Sequence, residues 1–262
     1  MSAWTRLVRF IGQDGQVYLG QPVNASIDVG LAVISGETVV ANVIKGDIYS
    51  GTVSSKEVTI KKLLPPVTRD ECSIIRCLGL NYMKHAQEAN MAIPKDPILF
   101  IKPRTALAGP GELSVSKAAQ DDQLDFETEL ALVIGKDALD VSEEEALDYV
   151  LGCFGKGFNE SCPIGPVLIR AGEIDPDNLD LKGVLSGEVV QQSNTSDMIF
   201  NCRKAISFLS QGTTLEKGTI IQMGTPSGIG WARDPKRLIK DGEEMRIWFQ
   251  GIGTLINTFK YL

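Results

Sequence analysis

Two glutamates stand two residues apart in the run Asp125-Phe126-Glu127-Thr128-Glu129, directly ahead of the apolar stretch Leu130-Ala131-Leu132-Val133-Ile134. On an extended backbone such residues share a face, so Glu127 and Glu129 concentrate negative charge in one place. Like charges side by side are unfavourable unless water, a basic side chain or a divalent cation offsets them. A solvated strand face is the plain explanation of an arbitrary E-x-E. Here the apolar continuation carries the strand into the interior, which predicts that the carboxylates open onto a cavity. Hard oxygen donors of this kind suit Mg²⁺, Mn²⁺ or Ca²⁺, and Mg²⁺ accepts one or two carboxylates completed by water and substrate. His85 is the only histidine in the chain, so a multi-histidine zinc centre is excluded.

His85 and Glu88 are three apart in a segment with helical character, hence neighbours on one face. A carboxylate beside an imidazole fixes its tautomer and raises its basicity, the arrangement needed to deprotonate a water or a carbon acid. Taken alone, such a pair is more often a surface hydrogen bond. Lys156, between Gly155 and Gly157, is placed to polarise a carbonyl oxygen, although by itself it reads as a loop lysine. The amides of Gly224-Thr225-Pro226-Ser227-Gly228-Ile229-Gly230 and the Thr225 hydroxyl could bind a carboxylate oxygen. This loop has neither dinucleotide-fingerprint spacing nor a following helix pattern, and Gly157 stands where a phosphate loop needs Ser or Thr after its lysine. Nothing in the spacing supports Cys153 or Cys162 as a nucleophile paired with His85.

The elements that must position these groups are mostly short strands. Leu7 to Ile11, Val17 to Leu19, Val39 to Ile44 and Val58 to Ile60 are β-prone runs broken by turns. Leu63-Leu64-Pro65-Pro66 then forms a stiff joint, which divides a small β-rich domain (1–66) from a larger one (67–262). Beyond it, Ile74 to Leu78 reads as a strand and Asn81 as the cap of a short helix through Tyr82, His85, Ala86 and Ala89. Phe126 to Ile134 reads as a strand. The Ser142-to-Glu145 capping box predicts a helix to about Leu151. A second helix is expected after Asp197, with Ile199, Cys202, Ala205, Ile206 and Leu209 on one stripe and Gly212 as its stop. Val184-Leu185 and Val189-Val190, Thr219 to Met223, Met245 to Phe249 and Leu255 to Phe259 complete the strands. The sum is an α+β, β-dominated chain, a mixed β-roll or distorted sandwich with a few short helices rather than a doubly wound sheet.

The chain has 262 residues, 43% hydrophobic and 23% charged, an ordinary globular composition. A formal charge of −7 argues against a nucleic-acid or anionic-membrane partner, which needs a basic face. No apolar run reaches the length of a bilayer span, and Met1 to Phe10 lacks the apolar core of a secretory signal, so a cytoplasmic location is expected. The five cysteines form no C-x-x-C pair, which suits reduced thiols in the core.

Taken together, Gly79-Leu80-Asn81-Tyr82 leading to His85-Ala86-Gln87-Glu88, Phe100-Ile101-Lys102-Pro103, Asp125 to Leu130, Pro163-Ile164-Gly165-Pro166 and Gly224-Thr225-Pro226 resemble the fumarylacetoacetate hydrolase family in order and spacing. The resemblance runs from about Ile74 to the C-terminus, and residues 1–66 resemble that family's variable lead domain. It implies a mixed β-roll, a homodimer, and Mg²⁺ or Mn²⁺ at the mouth held by Glu127 and Glu129. It also implies His85 and Glu88 as the water-activating or proton-moving dyad, Lys156 and Thr225 as contacts to substrate oxygens, and Tyr82, Lys102 and Gly224 as further substrate contacts. The implied reaction is C–C bond hydrolysis, decarboxylation or keto-enol isomerisation of a 2-oxo or 1,3-dicarbonyl acid, through an enolate that positive charge stabilises.

The chain departs from the family at one place. Between Tyr149-Val150-Leu151-Gly152 and Phe154-Gly155-Lys156-Gly157-Phe158 the family inserts a segment with an Asn-Asp-x-Ser-x-Arg motif, the source of a third acidic ligand and a substrate-facing arginine. Asn159 stands where an aspartate is usual. Losing a charged ligand weakens a three-carboxylate site. Three readings follow: an enzyme with a weaker or rebuilt metal site that recruits Glu160 or substrate oxygens; a metal-independent acid/base isomerase, decarboxylase or cyclase; or an inactive binding or scaffold protein.

Overall fold

The computed structural model describes residues 3–156 and 162–262, with Lys156 described by its backbone. The first four strands are β1 (Arg6–Gly12), β2 (Val17–Pro22), β3 (Val40–Lys45) and β4 (Thr52–Leu64). β1 pairs with both β2 and β4, and β3 pairs with the same two, so the four close into a small ring. A helix not anticipated from the sequence, α1 (Val29–Ile34), lies between β2 and β3. Asp28 caps it by accepting the Leu31 N–H, and its other oxygen takes the Thr254 hydroxyl. Gly30 is obligatory there, because a Cβ would collide with the Thr254 carbonyl oxygen.

The rest of the chain supplies β5 (Ile75–Gly79), α2 (Met83–Glu88), β6 (Ile98–Lys102), β7 (Leu107–Ala108), β8 (Gly111–Val115) and β9 (Glu129–Ile134). These are followed by β10 (Val150–Lys156), β11 (Cys162–Arg170), β12 (Asp180–Leu185), β13 (Glu188–Asn194), α3 (Cys202–Ser210), β14 (Ile220–Gln222), β15 (Glu244–Phe249) and β16 (Gly253–Tyr261). One large sheet runs in the order β2-β3-β4-β1-β11-β10-β9-β14-β5-β6, with β7 alongside β11; a second runs β13-β12-β15-β16-β8. Of the expected joint, Leu63 and Leu64 end β4, and only Pro65 and Pro66 lie between it and β5. Yet the two parts share the large sheet, because Arg6 and Leu7 of β1 pair with Ile169 and Leu168 of β11.

β9 is the strand on which the rest depends. Leu130, Leu132 and Ile134 join the core between the two sheets, while Ala131 and Val133 join a second core on the opposite face. A strand buried on both faces has no polar alternation, which is why this run is continuously apolar. The strand begins at Glu129, so Phe126 to Thr128, expected to belong to it, instead approach it as irregular backbone.

Three helix expectations need correction. The Ser142–Glu145 capping box forms, with the Glu145 N–H on Ser142 Oγ, but it opens only a single tight turn over Ala146–Tyr149. The backbone from Val150 onward is claimed by antiparallel pairing with β9, and tertiary pairing outweighs a local cap. α3 begins at Cys202, not after Asp197, because Asn201 supplies the capping oxygen to the Lys204 N–H. Asn81 does not cap α2; Tyr82 occupies that position and the Asn81 side chain is used elsewhere.

Candidate active site

β5 and β14 are parallel, and β9 is antiparallel to β14, so the ends of β5 and β14 and the start of β9 meet at one edge of the sheet. Lys156, the last residue of β10, pairs with Glu129 at that same edge. Sheet topology therefore gathers Glu129, the loop after β14 and the helix after β5.

The buried Asn81 side chain clamps this junction. Its amide N–H₂ donates to the carbonyls of Phe200 (3.0 Å) and Met223 (2.8 Å), and its oxygen accepts the Phe200 N–H (2.9 Å). Leu80 takes a left-handed φ of 48°, which turns the chain from β5 into α2. The helix presents His85 and Glu88 together, with Nδ1 2.7 Å from Glu88 Oε1 and side-chain exposures of 14% and 23%. The second oxygen, Oε2, accepts the Gly228 N–H at 2.8 Å. Both glutamate oxygens are thus fixed, and with Nδ1 donating to Oε1 the neutral ring keeps Nε2 as its acceptor.

The loop after β14 runs beside the acidic segment. Gly224 N–H donates to Glu129 Oε2 (3.3 Å), the Thr225 hydroxyl donates to the Thr128 carbonyl (3.2 Å), and Gly230 and Trp231 N–H groups donate to the two oxygens of Asp125 (2.7 Å each). Gln191 braces the assembly from β13, donating to Thr225 Oγ1 and the Pro226 carbonyl while accepting the Thr128 N–H. Burial pushes the Asp125 carboxyl above its ordinary range, against the backbone N–H groups of Trp231, Phe126 and Gly230 that pull it down.

The expected site residues divide accordingly. One loop links the expected groups: its Gly228 N–H meets Glu88, which holds His85, and its Gly224 and Thr225 meet Glu129 and Thr128, with Glu127 half-buried two residues before Glu129. Gly224 and Thr225 do not, however, offer their donors to a substrate; the amide is spent on Glu129 and the hydroxyl on Thr128 and Gln191. Tyr82, expected to touch substrate, is instead wholly buried in the main core with no hydrogen-bond partner for its hydroxyl among the described residues. Burial first, then Cys202, Glu129 and nearby aspartates, hold that phenol well above its usual range. Lys102 pairs with Ile75 at the opposite end of β5 from Gly79. Four strand steps put its backbone about 13 Å from the Gly79 end of that strand. The Lys156 side chain, Gly157, Asn159 and Glu160 lie outside the described residues.

Asp125, Gln191 and Asn81 were not singled out from sequence as functional, the only signal being the position of Asp125 at the head of the acidic run; the loop amides expected to bind a carboxylate do so at Gly228, but the carboxylate is that of Glu88. A cavity of about 620 Å³ lies at the far end of β9, lined among others by Gly135, Lys136, Tyr149, Arg170 and Arg203, and includes none of the candidate catalytic groups.

Among the described residues no group of three His, Cys, Asp or Glu side chains is placed to hold a metal ion. Of the two carboxylates expected to bind a metal, Glu129 opens β9 and is buried, and Glu127 lies on the irregular backbone before it and is half-buried. A pair of carboxylates fits a hard divalent cation completed by water and substrate, and does not fit a closed protein cage.

A family model described as "Fumarylacetoacetate (FAA) hydrolase C-terminal" matches residues 74–154 and 153–260, and the chain belongs to the fumarylacetoacetate hydrolase family. The match comes as two pieces that meet at Cys153–Phe154, the place where the sequence was expected to depart from the family. A caffeoylpyruvate hydrolase from Neonothopanus nambi is 43% identical over 286 residues, covering 98% of this chain and 93% of that protein. That alignment is longer than this chain, so the relative carries residues absent here. An oxaloacetate tautomerase of Bacillus subtilis, YisK, is 37% identical over 218 residues, covering 75% of this chain and 72% of its own. Among solved structures, a 2-hydroxyhepta-2,4-diene-1,7-dioate isomerase from Mycobacterium marinum superposes with a TM-score of 0.77 at 28% identity over 98% of both chains.

Proposed function

We propose that this chain is a hydrolase of acylpyruvates, 1,3-dicarbonyl acids in which an acyl group is joined to the methyl carbon of pyruvate. The observation that carries the reading is the lone histidine oriented by Glu88, itself fixed by the Gly228 N–H, at the carboxylate-bearing sheet edge. The hydrolase relative that spans nearly the whole chain supports it over tautomerases matched to about three quarters.

His85 Nε2 takes a proton from water while Nδ1–H remains on Glu88, and the hydroxide adds to the acyl carbonyl. Collapse of the tetrahedral adduct breaks the C–C bond and leaves a carboxylic acid and the enolate of pyruvate. The imidazolium returns its proton to the enolate carbon, so atoms and charge balance. Glu88 stabilises the imidazolium throughout. Glu127 and Glu129 would hold a Mg²⁺ or Mn²⁺ ion, whose positive charge supplies electrostatic stabilisation of an enolate when bound. With two carboxylates, such binding is weak.

Exposed Ile98, Leu99, Phe100 and Ile101 on β6, the last strand of the large sheet, support a homodimer formed along that edge. Sedimentation of wild type and Ile101→Lys tests it, a two-fold mass lost in the variant being the expected result.

The functional test offers an aromatic acylpyruvate and oxaloacetate, with and without chelator. Release of pyruvate from the acylpyruvate supports the proposal; enolisation of oxaloacetate alone would make the chain a tautomerase. Undiminished turnover in chelator would assign the reaction to the metal-independent reading, and no turnover of either acid to the scaffold reading.

A further inference from the structure

We propose that Asp125 is a positioning residue for the His85–Glu88 pair, acting through the backbone of the Gly228–Trp231 turn. The kinetic part rests on the proposed role of that pair; the geometric part does not.

Asp125 Oδ1 accepts the N–H groups of Phe126 and Gly230, and Oδ2 accepts that of Trp231, all at 2.7 Å. One carboxylate thus closes on three N–H groups of two chain segments, two of them consecutive in the turn. Two residues before Gly230, the same turn presents the Gly228 N–H to Glu88 Oε2. The turn has no freedom of its own to choose residues. Gly228 has φ of +99°, and a Cβ at Gly230 would collide with the Arg237 carbonyl. Two glycines so close make a flexible turn, and its conformation must be imposed from outside.

Asp125 is the acceptor that imposes it from beneath, while Arg233 Nε touches the Gly228 carbonyl at a longer 3.3 Å. When Asp125 lets go, the Gly228 N–H moves, Glu88 loses the donor that fixes Oε2, and Oε1 is no longer held against His85 Nδ1. Both anchors are charge-assisted, but Asp125 makes two such bonds to the turn at 2.7 Å against the single 3.3 Å bond from Arg233, so Asp125 holds it more firmly.

Because His85 is the sole histidine, ring ¹⁵N chemical shifts in histidine-labelled protein report its tautomer without overlap. Asp125→Asn keeps one acceptor but turns an N–H₂ group toward the Trp231 N–H; Asp125→Ala removes both acceptors. The proposal expects either variant to move the ring shifts in the same direction as Glu88→Gln. It also expects kcat to fall about 10- to 100-fold with KM within about twofold, as for a misplaced base. Added to Glu88→Gln, neither change should do more, since both act on one element. Unchanged ring shifts in folded Asp125→Asn, or effects that add to those of Glu88→Gln, overturn the proposal. If the shifts move as expected but wild type turns over no acylpyruvate, the positioning role stands and the functional reading fails. Should Asp125→Ala not fold, Asp125→Asn decides alone.

Discussion

Replacing Glu88 by Gln changes one atom and should separate catalysis from stability. In the native pair, Oε2 accepts the Gly228 N–H and Oε1 accepts from His85 Nδ1. A glutamine can satisfy Gly228 only with its oxygen, which turns its N–H₂ group toward Nδ1. That makes Nδ1 the acceptor and moves the ring proton to Nε2, the position that must be bare to take a proton from water. Loss of a general base costs 10²- to 10⁴-fold in rate, or about 3 to 5 kcal/mol of transition-state stabilisation. The pair is mostly buried, but the variant keeps both hydrogen bonds with donor and acceptor exchanged and loses only their charge assistance, about 1 to 2 kcal/mol, so the melting temperature should shift by only a few degrees. The assay is the loss of acylpyruvate enol absorbance under saturating substrate, beside a thermal melt. A kcat within threefold of wild type would refute the reasoning, as would a loss of activity explained by unfolding.

Asn81→Ala removes three buried hydrogen bonds and strands the Phe200 N–H and Met223 carbonyl, so urea unfolding should show a loss of about 3 to 5 kcal/mol. Gly228→Ala forces a left-handed residue against the Val190 carbonyl and should lower both stability, by about 1 to 2 kcal/mol or more, and kcat, read from melts and turnover. Burial pushes the thiols of Cys72 and Cys153 and the phenol of Tyr49 up to about 12. The folded chain therefore keeps protons that the unfolded chain releases above pH 9 to 10. Stability should be untouched by these groups below pH 9 and fall as pH rises to about 12, which chemical denaturation at stepped pH will show; a flat profile contradicts it.

The parts legible in the sequence were those fixed by local pattern. The apolar run after Glu129 announced a strand buried on both faces, and the three-residue spacing of His85 and Glu88 placed them on one helical face. The parts that escaped depend on register between distant strands. Only the pairing of β14 with β9 spends the Gly224 amide on Glu129, and only the antiparallel pairing of β6 with β5 places Lys102 at the end of β5 opposite Gly79. Tyr82 follows His85's motif yet turns inward, a choice made by core packing that no four-residue window contains. The Ser142 box was read correctly as a cap and wrongly as a long helix, because strand pairing takes the backbone from Val150 onward. The α1 helix was missed since its cap, Asp28, is held partly by Thr254, more than two hundred residues away in sequence.

The account stands on His85 as the group that moves the proton. Chromatography of an aromatic acylpyruvate incubated with wild type and with His85→Asn tests this directly. Equimolar pyruvate and aromatic acid should appear with wild type, at a rate reduced at least about 100-fold in the variant. Equal release by both proteins would contradict the central claim.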